Sequence, residues 1–224
     1  DSLSIIDMLK IINQEDILVP SIIAQHLGRI EKVIDQVVYS LKNNGRLFYV
    51  GCGSSGRLGV LDAVECPPTF STSPDLVQGI IAGGNDALYK SIENAEDSIE
   101  EAINFVNKKV NKNDFVLGIS ASASASFVEA GLKQAKKLNA TTGLITCNYT
   151  INNFSVDHLI SIVVGPEIIS GSTRMKAGTA TKMTLNMITT ATMIKMNKTF
   201  GNLMVDLKAS NQKLWDRGAR IVSH

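Results

Sequence analysis

Two short stretches contain residue types that could hold an anion. Gly51-Cys52-Gly53-Ser54-Ser55-Gly56 follows the apolar run Leu47–Val50, and Ser120-Ala121-Ser122-Ala123-Ser124-Ala125-Ser126 follows Phe115–Ile119. Glycine lets a chain turn left-handed and approach a ligand closely, while serine hydroxyls donate hydrogen bonds without adding charge. Placed at strand ends before helix N-termini, such loops suit a phosphate, whose oxygens accept from several directions at once. For either loop alone the plain reading is a capped turn into a helix. Two of them at separate strand ends favour the anion. The first has the G-x-G-x-x-G spacing of dinucleotide sites, yet no acidic residue marks a second strand end about 20 residues on. It also lacks the Gly-Lys-Ser/Thr ending of a nucleotide P-loop.

These loops need strands to carry them. Short apolar runs predict strands at Arg46–Cys52, Leu76–Ala82, Phe115–Ala121, Gly143–Cys147 and His158–Val164, the second diluted by Gln78 and Gly79. Helical stretches lie between them, notably Asp86–Val110 and Phe127–Leu138. Unbroken apolar strands alternating with helices predict a doubly wound α/β fold, a parallel sheet covered on both faces. Apolar residues at helical spacing predict two amphipathic helices between Ser2 and Asn43, with Gly45 placed to stop the second. After Val164, long methionine-rich helices are expected at Arg174–Asn197 and Leu203–Val222, their methionines filling the core. The expected organisation is an N-terminal helical segment over 1–44 and a ligand-binding domain over 45–224.

The 22 basic and 21 acidic side chains of the 224 residues nearly cancel, so no basic field is present to hold a nucleic acid or an anionic membrane. Cys52, Cys66 and Cys147 show neither zinc nor redox spacing, and His26, His158 and His224 are scattered. They read as thiols of a reducing compartment with no metal site. No apolar run reaches membrane-spanning length, and the start "DSLSIIDMLK" lacks the features of a signal peptide, so a cytoplasmic location is expected.

The strings "GCGSSGRLGVLDAVECPPTF", "VQGIIAGG", "ENAED", "GPEIISGSTRMKAGTATKM" and "GNLMVDLKASNQKLWDRGARIV" resemble the N-acetylmuramic acid 6-phosphate etherases, which are sugar isomerase (SIS) domain proteins. The resemblance runs from about Leu3 to Val222. It implies a three-layer α/β/α sandwich with a five-stranded parallel sheet of flavodoxin-like type, preceded by N-terminal helices. It further implies a homodimer with the site near the interface and no metal or organic cofactor. The reaction implied is removal of the C3 lactyl ether of N-acetylmuramate 6-phosphate, giving N-acetylglucosamine 6-phosphate and D-lactate, a step of peptidoglycan recycling. Elimination of this kind needs one ionised carboxylate and one protonated carboxyl. By the family pattern the acid falls on Glu65 of "ECPPTF" and the base on Glu96 of "NAEDS", with Glu93 as its rival in an acidic run. Gly53, Ser54, Ser55, Ser120, Ser122 and Ser124 would bind the sugar phosphate. Pro67-Pro68 is expected to end the helix that carries Glu65. Arg57 reads as a ligand clamp or an exposed first-turn residue. Ser172, Arg174 and Lys176 open a later helix, where they bind ligand or cross the interface, or where Ser172 or Thr173 caps it.

The second loop departs from the family, whose usual sequence there is of Ser-Gly-Arg-Thr type. A serine-rich loop resembles instead the glucokinase regulatory protein, an SIS protein that binds fructose phosphates and acts by binding a partner. That gives the alternative of a non-enzymatic sugar-phosphate regulator, with an aldose–ketose isomerase as a third possibility on the same fold. Glu65 separates them, because a pure sensor has no use for a general acid. Members of the family usually continue into a small helical segment after the position of Val222.

Overall fold

The alternation of apolar strands and amphipathic helices is realised as one parallel sheet with helices on both faces. The computed structural model describes residues 2–149, 154–205 and 215–216. Strands β1 (Leu47–Gly51), β2 (Val77–Ile81), β3 (Phe115–Ile119), β4 (Thr141–Thr146) and β5 (His158–Ser161) run parallel in the order β2-β1-β3-β4-β5. In this flavodoxin-type order the connection reverses direction across β1, so the topological switch lies between the ends of β1 and β3. Both strands are buried at every position, which is why they read as unbroken apolar runs. Gly79 dilutes β2 for a packing reason: a Cβ there would lie 2.6 Å from the Val60 side chain. Glycine lets the neighbouring helix lie close on the strand.

Helices α1 (Ile5–Asp16), α2 (Leu18–Ala24), α3 (Leu27–Lys42), α4 (Gly53–Phe70), α5 (Ile99–Lys109), α6 (Ser126–Lys137) and α7 (Lys176–Lys195) complete the layers. Successive strand residues point to opposite faces. Leu47, Tyr49, Phe115 and Leu117 therefore share a core with α2, α3, α4 and α7, whereas Phe48, Val50, Val116 and Leu144 share one with α5 and α6. The junction of β1 and β3 is locked by a buried carboxylate. Asp114, fully buried, accepts from the Arg46 backbone N–H at 2.8 Å and from the Arg46 guanidinium at 2.8 Å. Among the described residues no helix is long and apolar enough to cross a membrane.

Several expectations need correction. The N-terminal segment holds three helices, not two. The Asp86–Val110 stretch is not one helix: 3₁₀ turns at Asn85–Leu88 and Ala95–Asp97 precede α5. Asn94 between them sits at φ 60°, a left-handed conformation that no right-handed helix contains. Asn44, at φ 59°, makes the turn after α3, and Gly45 is needed because a Cβ there would sit 2.0 Å from the Asn113 carbonyl oxygen. Pro67 and Pro68 do not end α4, which runs through both to Phe70 and stops at Ser71, φ 51°. The prolines remove only two amide donors from the last turns, and buried Cys66 and Phe70 hold that segment against the core. Of the helix expected at Leu203–Val222, Leu203–Met204 (β7) instead pairs antiparallel with Thr199–Phe200 (β6). Most of the remainder lies outside the described residues.

Candidate active site

Only Cys52 separates β1 from α4. The turn is this tight because Gly51 and Gly56 touch: a Cβ on Gly56 would lie 2.7 Å from the Gly51 carbonyl oxygen, and one on Gly51 would lie 2.7 Å from the Gly56 nitrogen. Gly53 enters the helix at φ 52°. Cys52, the residue before the helix, gives no side-chain cap, so the first-turn N–H groups of α4 face outward with the positive end of its dipole. Ser54 and Ser55 add hydroxyls to the same turn.

Across the switch point β3 ends at Ile119, and Ser120 is buried beside it. The Ala123 N–H donates to the Ser120 carbonyl at 3.1 Å with Ala123 at φ 53°, which folds the serine loop into a turn. The hydroxyls of Ser122 and Ser124 lie 2.6 Å apart, and Asn148 Nδ2 donates to the Ser122 carbonyl at 2.9 Å. Helix α6 then starts behind Ala125, again without a side-chain cap. Two helix N-termini thus converge on a cleft of about 180 Å³, lined by Gly53, Ser54, Ser55, Ser120 and Ser122 together with Glu96. Such an arrangement has the donors to suit an anion, with one carboxylate at its rim.

Glu96 reaches the rim on the 3₁₀ turn Ala95–Asp97 rather than on a helix face. An adjoining cavity of about 240 Å³ shares Cys52, Gly53 and Glu96 with the cleft and also holds Glu93. Glu93 lines only that second space, whereas Glu96 faces both. Burial pushes the Cys52 thiol up to about 12, helped by the negative charges of Glu96, Asp97 and Glu101. It is therefore a neutral wall of the site, not a nucleophile. Arg57 clamps protein rather than ligand, its Nε donating to the Ala87 carbonyl and Nη2 to that of Lys90, each at 2.9 Å. It holds the chain segment that delivers Glu96.

Two expected residues stand outside the cleft. Ser124 supports Ser122 and does not line the cavity. Glu65 is exposed near the far end of α4, twelve residues past Gly53, which is about 18 Å along the helix axis. One sugar phosphate cannot span that distance within a single chain.

Neither Ser172 nor Thr173 caps α7. The Glu167 carboxylate accepts from the Lys176 and Ala177 N–H groups, both at 3.0 Å, and Thr173 lines the cleft. Lys176 is buried and paired with Glu15 of α1, while Arg174 is exposed beside α4. The sequence reading missed Glu167, and it missed a buried cluster around Asp62. Tyr49 donates its hydroxyl to Asp62 at 2.8 Å, Thr189 donates at 3.3 Å, and Lys182 stands 3.7 Å away. Burial raises the Asp62 carboxyl above its ordinary value, against the opposing pull of these partners. No local spacing could signal contacts between α4 and α7, which lie far apart in the chain.

The fold is that of sugar-phosphate isomerase domains. A phosphoheptose isomerase from Neisseria gonorrhoeae superposes with a TM-score of 0.64 at 13% identity, covering 84% of this chain and 98% of that one. The Vibrio vulnificus NanR protein complexed with ManNAc-6P gives 0.60 at 12% identity, over 97% and 69%. The family model of the glucokinase regulatory protein N-terminal SIS domain matches residues 29–136. Closer in sequence, the N-acetylmuramic acid 6-phosphate etherase of Clostridium acetobutylicum is 52% identical over 220 residues, 97% of this chain and 73% of the relative. An etherase of the same description from Bacillus licheniformis is 53% identical over 97% of this chain and 72% of its own. The chain belongs to the N-acetylmuramic acid 6-phosphate etherase family.

Proposed function

We propose that this protein cleaves the lactyl ether of N-acetylmuramic acid 6-phosphate by elimination and hydration. The observation that carries the reading is the position of Glu96, on the rim of a phosphate-sized cradle built from the α4 and α6 N-termini. With the 6-phosphate held by the N–H and hydroxyl groups of Gly53, Ser54, Ser55, Ser120 and Ser122, the opened sugar extends from the cradle past Glu96. The C1 aldehyde acidifies the C2–H, and the Glu96 carboxylate takes that proton. The electron pair enters conjugation with the aldehyde and then expels the C3 oxygen. A protonated carboxyl, assigned to Glu65 of a second copy of the chain in the homodimer, gives its proton to the departing lactate. Water adds at C3 of the unsaturated aldehyde, its hydroxyl going to C3 and a proton returning to C2. The products are N-acetylglucosamine 6-phosphate and D-lactate. We assign the reaction to the cytoplasm and to a homodimer whose sites lie near its interface.

The test is lactate release from N-acetylmuramic acid 6-phosphate by the purified chain, with Glu96→Gln as the control. Turnover that this variant loses supports the reading. The serine-rich loop and the match to the glucokinase regulatory domain favour one second reading, a sugar-phosphate sensor. It requires hexose phosphates to raise the melting temperature of a chain that releases no lactate.

A further inference from the structure

A shallow groove between α4 and α7 opens beside the cleft. Ser54 lines both spaces, and Thr173 of the cleft is followed directly by Arg174 of the groove. The groove has an apolar wall, Leu58 and Leu61 of α4, and three cations, Arg57, Arg174 and Lys182, with no carboxylate among its lining residues. Two of the cations are engaged within the protein. Arg57 gives its Nε and Nη2 to backbone carbonyls, and Lys182 donates to Asn186 and stands 3.7 Å from the buried Asp62. Arg174 is exposed and, among the described residues, makes no side-chain hydrogen bond or ion pair. Its guanidinium is a planar fork whose paired N–H groups match the two oxygens of a carboxylate. Gly178, in the first turn of α7, also lines the groove. Apart from its own helix, a Cβ there would meet only the Thr173 carbonyl oxygen at 3.6 Å and a Leu58 methyl at 4.0 Å, both ordinary contacts. Packing leaves room for alanine, and glycine costs a helix stability relative to alanine. What the missing side chain provides is open space between the leucines and Arg174.

We infer that this groove is the subsite for the lactyl group of the substrate, with Arg174 holding its carboxylate. The inference rests on the etherase reading, which gives the ligand two anionic groups. The 6-phosphate goes to the cleft, and the carboxylate leaves the sugar through the ether oxygen on C3 with a methyl group beside it. A lactyl group is thus half apolar and half anionic. The groove offers leucines to the methyl and a paired donor to the carboxylate, next to the cleft that takes the phosphate. Without Arg174 the carboxylate would lie against the apolar wall with its hydrogen bonds to water lost and none gained, the situation that discriminates most strongly between ligands. The sugar product has no lactyl group to place there, so the groove distinguishes the ether from the sugar phosphate it becomes.

Calorimetry on the Glu96→Gln protein, whose turnover is suppressed, compares N-acetylmuramic acid 6-phosphate with N-acetylglucosamine 6-phosphate, the same sugar phosphate without the lactyl group. This parent should bind the first about 10–100-fold more tightly, the worth of a charge-assisted pair. Arg174→Met in the same background should abolish that difference and leave the affinity for N-acetylglucosamine 6-phosphate unchanged. Gly178→Leu, which fills the groove with a good helix former, should do the same without removing a charge. Equal binding of the two ligands by the parent overturns the subsite, as does a preference that survives Arg174→Met. An Arg174→Met protein that loses both ligands alike overturns it too, since the arginine then serves the fold or the phosphate. Lactate release by the wild type tests the etherase reading separately. The stated preference without lactate release keeps the subsite and sinks the reaction, and lactate release without the preference does the reverse.

Discussion

Glu96 and Glu93 are three residues apart in an acidic run that reads as a solvated helix face, and nothing in their types tells them apart. The backbone distinguishes them. Asn94 breaks the helix with a left-handed turn, and the 3₁₀ turn that follows aims Glu96 across Cys52 into the cleft. Replacing Glu96 by Gln should lower lactate release by about 10²–10⁴-fold, the usual worth of one general base. It should leave unchanged the melting-temperature rise given by N-acetylglucosamine 6-phosphate, whereas Glu93→Gln should spare both. The thiols allow a second check. Cys52, Cys66 and Cys147 are each pushed up to about 12, chiefly by burial. At neutral pH their thiolate fraction is about a thousandfold below that of a free thiol. Mass spectrometry after brief iodoacetamide treatment of the folded protein should show no adduct, and full alkylation should appear in urea. Asp62 gives a pH signature. Because its folded-state value is raised from 3.8, the native state holds that proton more tightly than the unfolded chain. Its contribution to stability is therefore greatest at low pH and falls as pH rises above that value. Asp62→Asn should flatten this component of the urea midpoint, followed from about pH 3 to 7.

At the scale of elements, the five strands were legible because burial on both faces demands unbroken apolar runs, and all five appear within a few residues of their expected limits. The two loops that meet at the cleft were legible through glycine and serine. What stayed hidden depends on contacts distant in sequence. The capping of α7 by Glu167 is one case, and the survival of α4 through two prolines is another, since the latter is decided by what Cys66 and Phe70 pack against. Glycines illustrate the difference between local and tertiary demand. Gly56→Ala places a Cβ 2.7 Å from the Gly51 carbonyl, and should cost about 1–3 kcal/mol as overpacking does, with loss of phosphate-ligand binding. Gly28→Ala in the first turn of α3 meets nothing within 4 Å. It should instead raise stability by about 0.4–1 kcal/mol through the unfolded chain. Urea denaturation of the two variants tests that opposite sign.

For the molecule as a whole, the sheet order decides where ligand goes. The cleft forms at the one place where the winding reverses, so its lining depends on β1 and β3 being adjacent. A ligand that binds only there couples to the global fold, and saturating N-acetylglucosamine 6-phosphate at about a hundred times its dissociation constant should stabilise the protein by about 2.7 kcal/mol. The unphosphorylated sugar should give no shift in the same thermal scan. The central place of β1 also has a consequence for how the chain is made. Arg46 and its lock Asp114 are 68 positions apart. At roughly 5–20 residues per second, several seconds of translation separate the appearance of β1 from that of the strand beside it. For that interval the growing chain carries one open, wholly apolar strand edge. Nascent chains arrested before residue 115 should therefore be recovered bound to holdase chaperones, and those arrested past residue 149 should be released from them.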